Sequence, residues 1–188
     1  MNLRVKIKIA GSERQLELLA VTLIFAAALF SRTFMLDCFP YFPPDFPWLG
    51  DRPGPAGMYC DEANYLYCAR NLFNRTTTYQ PWLQLLFIHF SLRVLGESAF
   101  AARLPSAFVS TLTAVVVYFA AKQKYGRLAA FLSSLYFIAM TPALVYNRMV
   151  FLENTVAFMF MLSIYFLFKY EQGGGQRWLY AAGILAGA

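Results

Sequence analysis

The sequence contains few charged residues. Asp, Glu, Lys and Arg together make up 14% of the 188 residues, whereas 59% are hydrophobic and 18% are aromatic. A soluble domain carries about 25% charged residues. The composition therefore excludes an ordinary soluble domain and predicts an all-α, polytopic transmembrane helix bundle.

Cysteine and histidine are also scarce. The chain has three cysteines, Cys38, Cys60 and Cys68, and one histidine, His89. No second Cys or His cluster follows at the spacing of zinc ligands, so a structural zinc site is not expected. Two alternatives remain, a Cys38–Cys60 disulfide or three free thiols, and the compartment that the loop faces decides between them. His89 lies in an apolar stretch, where an interfacial polar contact is expected rather than catalysis.

The basic residues give a formal net charge of +6. They form short clusters beside apolar segments and not a stripe along one face, which favours membrane orientation by positive charge over a nucleic-acid partner. The cluster within residues 1–14 precedes the first apolar run and is expected to hold the N-terminus in the cytoplasm. The sequence thus predicts an integral protein of the cell membrane, in contact with membrane lipid.

Five apolar stretches are predicted to enter the bilayer, whose hydrocarbon core is about 30 Å thick. They lie at residues 16–36, 101–121, 128–145, 154–168 and 178–188. The first continues past a group of small residues and is therefore interpreted as an uncleaved span. The last stops within its apolar run, so residues 1–188 are expected to form the N-terminal transmembrane module of a longer protein.

A long outer loop is predicted at residues 37–100. Six prolines between residues 40 and 55 break any regular element there. The apolar stretch 81–96 is short for a span and carries polar interruptions, so a surface-lying helix is predicted. If it crossed, the basic turn at residues 122–127 would face outward, against the positive-inside rule. This topology places residues 146–153 outside.

Two adjacent carboxylates, Asp61 and Glu62, begin a second predicted amphipathic helix in this loop. Helix N-termini accommodate carboxylates because of their unpaired N–H groups and positive dipole end, so a simple cap is one interpretation. The residues expected to share the apolar face of the helix are Tyr65, Leu66, Ala69, Leu72 and Phe73. The topology puts both carboxylates on the same side as Arg148 and Glu153, which favours a functional site.

Four stretches follow one another in a recognisable order. They are Asp61-Glu62-Ala63 with Tyr65 and Ala69-Arg70-Asn71-Leu72, then Tyr79-Gln80-Pro81, then Ala102-Arg103-Leu104-Pro105-Ser106-Ala107, and finally Arg148 with Glu153. In this order and spacing the chain resembles the N-terminal part of integral-membrane glycosyltransferases of the GT-C type, in the protein O-mannosyltransferase and aminoarabinose-transferase branch.

The resemblance implies an inverting glycosyltransferase that moves a sugar from a polyprenyl-phosphate carrier to a protein, glycan or lipid acceptor on the outer face of the membrane. It implies Asp61 as the general base, with Glu62 as the second catalytic carboxylate. Arg148 and Arg70 would neutralise the departing phosphate, and Glu153 would orient Arg148 or bind a metal or the acceptor. The implied substrate-binding residues are Arg148, Glu153, Tyr65, Arg70, Arg103 and Gln80. No cofactor is certain, and a divalent metal stays open.

Each of these residues also has a structural interpretation. Arg103 is expected to lock a loop or to extend towards the membrane surface rather than bind a ligand. Arg148 and Glu153 are equally well explained as a pair at the membrane edge. The alternative functions are an oligosaccharyltransferase-like subunit and a non-catalytic membrane assembly protein. Residues 1–188 are expected to be inactive without further spans.

Overall fold

The structure, a computed structural model, describes residues 3–38, 60–74 and 82–187, except for the side chains of residues 3–11, 60 and 74. Every regular element in these ranges is helical, which confirms the all-α class. The helices are α1 (Leu3–Thr33), α2 (Cys60–Arg70), α3 (Trp82–Leu95), α4 (Ala99–Ala139), α5 (Thr141–Tyr146), α6 (Glu153–Glu171) and α7 (Gln176–Ala186), with a 3-10 turn at Leu72–Asn74. Gln80 and the Cys60 side chain lie outside the described residues, and Cys38 is exposed with a free thiol.

Two helical stretches are long and apolar enough to cross a membrane. They are Ser12–Thr33 within α1 and Ala99–Ala139, which is α4. Large apolar side chains on α1 face outward, as side chains in contact with lipid do, and the most exposed are Leu16, Leu18, Leu19, Leu23 and Phe30.

The α4 helix consists of two helical arms that form a hairpin, and the chain reverses direction between them at Gly126. This residue has φ 81° and ψ 179°, a backbone conformation that glycine adopts without the steric cost of a Cβ atom. Across the hairpin, the Ser134 hydroxyl donates a hydrogen bond to the Ala114 carbonyl at 3.1 Å. The hairpin packs on α1 through a buried cluster of Ile24, Ala28, Ala114, Tyr118, Ala130 and Ile138.

Charged pairs gather where α4 reverses, and we call this part of the bundle the Gly126 end. The pairs join α4 to α1 and α6, and they are Lys122 with Glu17, Arg127 with Glu13 (3.2 Å) and Lys124 with Glu171 (2.8 Å). All are partly exposed, so they add little to stability. They do show that α1 runs antiparallel to the first arm of α4, whereas α6 runs parallel to that arm.

The opposite part of the bundle, the Asp61 end, holds α2, α3, the start of α4 and the loop at residues 147–152. Leu66, Ala69 and Leu72 are buried as the sequence predicts, but the side chain of Phe73 is 74% exposed. The reason is that α2 ends at Arg70, and the 3-10 turn that follows has about three residues per turn, which rotates Phe73 away from the apolar face.

Proline inside α4 ties this helix to α3. Pro105 has no N–H group, so the carbonyl of Ala101 one turn earlier loses its helical donor. The hydroxyl of Ser91 on α3 takes its place and donates to the Ala101 oxygen at 2.5 Å. The break in the α4 hydrogen-bond ladder is thereby satisfied by a neighbouring helix.

A buried polar triad fastens α3 to two further helices. The Gln84 side-chain amide donates to Ser106 Oγ on α4 at 2.9 Å and accepts a short hydrogen bond from Thr155 Oγ1 on α6. Gln84 is fully buried, so these bonds satisfy a group that would otherwise be costly to remove from water. The α3 helix is therefore fixed against both α4 and α6 at the Asp61 end.

Candidate active site

Asp61 lines a cavity between the start of α2 and residues 145–154, which join α5 to α6. The cavity has a volume of about 580 Å³, and its lining residues are Asp61, Val145, Tyr146, Met149, Phe151, Glu153 and Asn154. This volume lies within the range of about 300–1,000 Å³ typical of small-molecule sites. The structure therefore brings Asp61 and Glu153 to one cavity, although they are 92 positions apart in the sequence.

Both carboxylates stand at helix N-termini. Asp61 lies in the first turn of α2, and Glu153 begins α6. Unpaired N–H groups and the positive dipole end of each helix offset the repulsion between two like charges. The local sequence thus explains how two acidic side chains can share one cavity. Among the described residues, no group of three or more His, Cys, Asp and Glu side chains is arranged to hold a metal ion.

Glu62 points away from this cavity into a buried ion pair with Arg103. Arg103 Nε donates to Glu62 Oε1 and Arg103 Nη2 donates to Glu62 Oε2, each at 2.9 Å, and both side chains are almost completely buried. Adjacent residues on a helix do not face each other, which explains why Asp61 and Glu62 have different surroundings. The pairing is bidentate, the geometry in which an arginine and a carboxylate bind most strongly.

The same ion pair also binds the loop at residues 147–152 and the turn that follows α1. The Val150 backbone N–H donates to Glu62 Oε1 at 2.9 Å, and Arg103 Nη1 donates to the Leu36 carbonyl at 3.1 Å. Glu62 and Arg103 thus connect α2, α4, the end of α1 and the loop at residues 147–152. This placement fits the loop-locking interpretation of Arg103, and Glu62 is not among the residues that line the cavity.

Arg148 contacts α1 rather than the cavity. Its guanidinium donates to the Ser31 carbonyl at 2.9 Å and makes a short hydrogen bond to the Phe34 carbonyl. Burial lowers the pKa of Arg148 from its ordinary value, and the positive charge of Arg103 lowers this pKa further. The guanidinium of Arg148 is therefore held at the end of α1, and Arg148 is not among the residues that line the Asp61 cavity.

Arg70 and Tyr65 lie away from the cavity as well. Arg70 is nine residues after Asp61, about 13 Å along the helix axis, and its guanidinium pairs with Glu97 at 2.7 Å. Tyr65 is partly buried and packs against the apolar cluster between α2, α3 and α4. His89 Nδ1 lies 2.8 Å from the Ala69 carbonyl, which ties α3 to α2.

Sequence reasoning missed Arg32. This residue is fully buried near the end of α1, where its Nε donates to Ser110 Oγ at 2.7 Å and its guanidinium lies 5.4 Å from the Phe137 ring centroid. The signal was an arginine within the apolar run 16–36, since a charge inside a span is costly and is retained for a reason. Tyr146 and Asn154 were also missed as lining residues, because nothing local marks a residue that tertiary packing brings to a cavity.

The long apolar helices, the outward-facing leucines and the cavity that Asp61 and Glu153 line at one end are features of an integral membrane protein with a substrate-sized site. A family model described as dolichyl-phosphate-mannose-protein mannosyltransferase matches residues 67–188, and the chain belongs to this family. The match confirms the resemblance and supports a membrane glycosyltransferase of the mannosyltransferase type. It contains Arg103, Arg148 and Glu153 and begins after Asp61. Neither the curated proteins nor the solved structures gave a match.

Proposed function

We propose that the protein transfers a sugar from a polyprenyl-phosphate carrier to an acceptor hydroxyl or amine on the outer face of the membrane. The observation that supports this proposal most directly is the cavity that Asp61 and Glu153 share. Within it, Asp61 is an exposed carboxylate on a short rigid helix, which suits a group that must meet a substrate proton. The family supplies the sugar class, since its description names a mannosyl phosphate donor and a protein acceptor.

In the proposed reaction, the acceptor attacks the anomeric carbon from the side opposite the carrier phosphate. A bond forms between the acceptor heteroatom and this carbon, while the bond between the carbon and the phosphate oxygen breaks. The acceptor proton passes to Asp61, and the electron pair leaves with the phosphate. A single displacement of this kind inverts the configuration at the anomeric carbon. Glu153 orients the acceptor or the sugar by accepting hydrogen bonds from hydroxyl groups.

The leaving phosphate requires positive charge. Arg148 lies between Tyr146 and Met149, which both line the cavity, and its positive charge together with that of Arg103 gives a positive potential beside the cavity. Glu62 balances part of this charge through its bond to Arg103. We therefore assign Glu62 and Arg103 to positioning, Arg148 to electrostatic stabilisation of the phosphate, and proton transfer to Asp61 alone.

The proposed orientation places the Asp61 end outside and the Gly126 end in the cytoplasm. Lys122, Lys124 and Arg127 cluster at the Gly126 end, and Lys169 lies at the same end of α6. Positive charge is retained on the cytoplasmic side of membrane proteins. The cavity would then face the side of the membrane on which lipid-linked donors of this type are used.

Asp61→Asn tests the proposed function. In membranes that contain the protein and a polyprenyl-phosphate sugar, this variant is expected to lose transfer by about 10²–10⁴-fold, the usual contribution of a general base. Glu97→Gln is the matched control, because Glu97 is an exposed carboxylate paired with Arg70 away from the cavity. Full transfer by a folded Asp61→Asn protein would remove the base assignment, whereas no transfer by the unaltered protein would favour the non-catalytic assembly role.

A further inference from the structure

Two aromatic rings form one wall of the Asp61 cavity. The ring centroids of Tyr146 and Phe151 lie 5.6 Å apart with an interplanar angle of 36°. Tyr146 ends α5, and its side chain is 57% exposed although the ring is large and mostly apolar. Phe151 supports this ring from the loop that precedes α6, so the tyrosine is held at the cavity as part of an aromatic pair.

Asn154 fixes the position of this aromatic wall. Its side-chain amide donates to the Tyr146 carbonyl at 3.2 Å and to the Met149 carbonyl at 3.4 Å. An asparagine side chain has two N–H donors and one oxygen acceptor. With the amide nitrogen committed to the loop, Oδ1 remains as the acceptor of Asn154, which is one of the residues that line the cavity.

The cavity thus combines aromatic faces with hydrogen-bond acceptors. A hexopyranose ring presents C–H bonds on one face, which pack against the negative face of an aromatic ring, and hydroxyl donors around its edge. Asp61, Glu153 and Asn154 Oδ1 supply acceptors for those hydroxyls. A hydrocarbon chain would suit the rings alone and would leave two carboxylates desolvated without partners, which is costly.

We propose that Tyr146 and Phe151 form the subsite that packs against the transferred sugar ring, with Asn154 Oδ1 accepting a hydrogen bond from a sugar hydroxyl. This inference rests on the proposed function, because it takes the cavity as the donor site. It adds that recognition of the sugar is separate from recognition of the carrier phosphate. Tyr146 and Phe151 line the cavity, whereas the guanidinium groups of Arg103 and Arg148 bind Glu62 and the Ser31 carbonyl and are not among its lining.

Binding measurements with two ligands distinguish recognition of the sugar from recognition of the carrier phosphate. The protein in lipid nanodiscs is titrated with polyprenyl-phosphate mannose and, separately, with the bare polyprenyl phosphate. Tyr146→Leu is expected to raise the Kd of the sugar-loaded carrier about 3- to 10-fold, the factor that one aromatic contact provides. The Kd of the bare carrier is expected to stay within about twofold. Phe151→Leu should act in the same direction, and Tyr180→Leu is the control because this exposed tyrosine lies on α7 away from the cavity.

Two results would overturn the subsite. Equal weakening of both carriers by Tyr146→Leu would mean that the wall contacts the carrier. An unchanged Kd for both carriers would exclude a contact between the aromatic rings and the sugar. If the KM for the acceptor then rose, the rings would instead contact the acceptor. Failure of the proposed function would give different results. The unaltered protein would bind neither carrier, or the Asp61→Asn protein would retain full transfer.

Discussion

Arg103 binds Glu62 through two parallel hydrogen bonds, each 2.9 Å long, and both side chains are buried. Loss of either partner leaves one buried charge unpaired, so Arg103→Leu and Glu62→Leu are each expected to destabilise the fold by about 3–5 kcal/mol. The double variant should recover much of this loss, because no isolated charge remains. Thermal unfolding in detergent measures all three. Strictly additive losses would show that the two side chains do not act as a pair.

Exchange of Arg103 for lysine tests the geometry separately from the charge. Lysine retains the positive charge but lacks the planar fork that binds both carboxylate oxygens, so Arg103→Lys is expected to destabilise the protein despite its conservative charge. Arg70→Lys is the control, since Arg70 pairs with Glu97 through a single contact at a partly exposed site. Equal melting temperatures for the Arg103→Lys and Arg70→Lys proteins would contradict a bidentate role.

Glu153→Gln should separate substrate orientation from proton transfer. If Asp61 alone takes the proton, Glu153→Gln keeps the base and loses a strong hydrogen-bond acceptor, so its transfer rate should fall less than that of Asp61→Asn. Steady-state kinetics on both variants gives the comparison. A greater loss for Glu153→Gln would transfer the base assignment to Glu153.

The Cys38 thiol offers a pH-dependent readout of the end of α1. A hydrogen bond with the Asp37 side chain is the main cause that raises the pKa of Cys38, followed by desolvation and the negative charge of Asp37, while the charge of Arg103 acts in the opposite direction. A raised pKa means less reactive thiolate at a given pH. In a Cys60→Ser, Cys68→Ser background, Asp37→Ala is therefore expected to shift the alkylation profile of Cys38 to lower pH. An unchanged profile would rule out the Asp37 contact.

Single-cysteine labelling tests the proposed orientation. A cysteine at position 124 should react only from the cytoplasmic side, and a cysteine at position 146 only from the outside, because the residues lie at opposite ends of the bundle. An impermeant maleimide applied to intact cells and to broken cells distinguishes the two. Labelling of position 124 in intact cells would reverse the proposed topology.

The helical class and the family could be predicted from the sequence because both depend on features that are local or appear in order along the chain. Apolar runs indicate helices in contact with lipid. The basic segment 122–127 is predicted as a turn, and the turn at Gly126 lies within it. The partner of Glu62 could not be predicted in the same way. Arg103 lies 41 residues further along, and which arginine a buried carboxylate meets is decided by how α2 and α4 pack.

For the cavity, too, the sequence predicts which residues lie on one side of the membrane but not which side chains point into the cavity. Charge counting put Asp61 and Glu153 on one side, and the structure places both at one cavity. The same reasoning expected Arg148 to join them, but its guanidinium contacts carbonyl groups at the end of α1. The direction of a long side chain depends on nearby acceptors, which no spacing in the sequence reports. Phe73 likewise left the apolar face only because a 3-10 turn replaced the last turn of the helix.

The Val150 N–H bond to Glu62 has a mechanical consequence. Val150 stands three residues before Glu153, and Glu62 directly follows Asp61. A displacement of α2 or of the loop at residues 147–152 is therefore transmitted to the other element, which restrains the separation of the two acidic groups. The spacing that the proposed displacement reaction needs would thus be maintained by a hydrogen bond outside the cavity that occupies neither Asp61 nor Glu153.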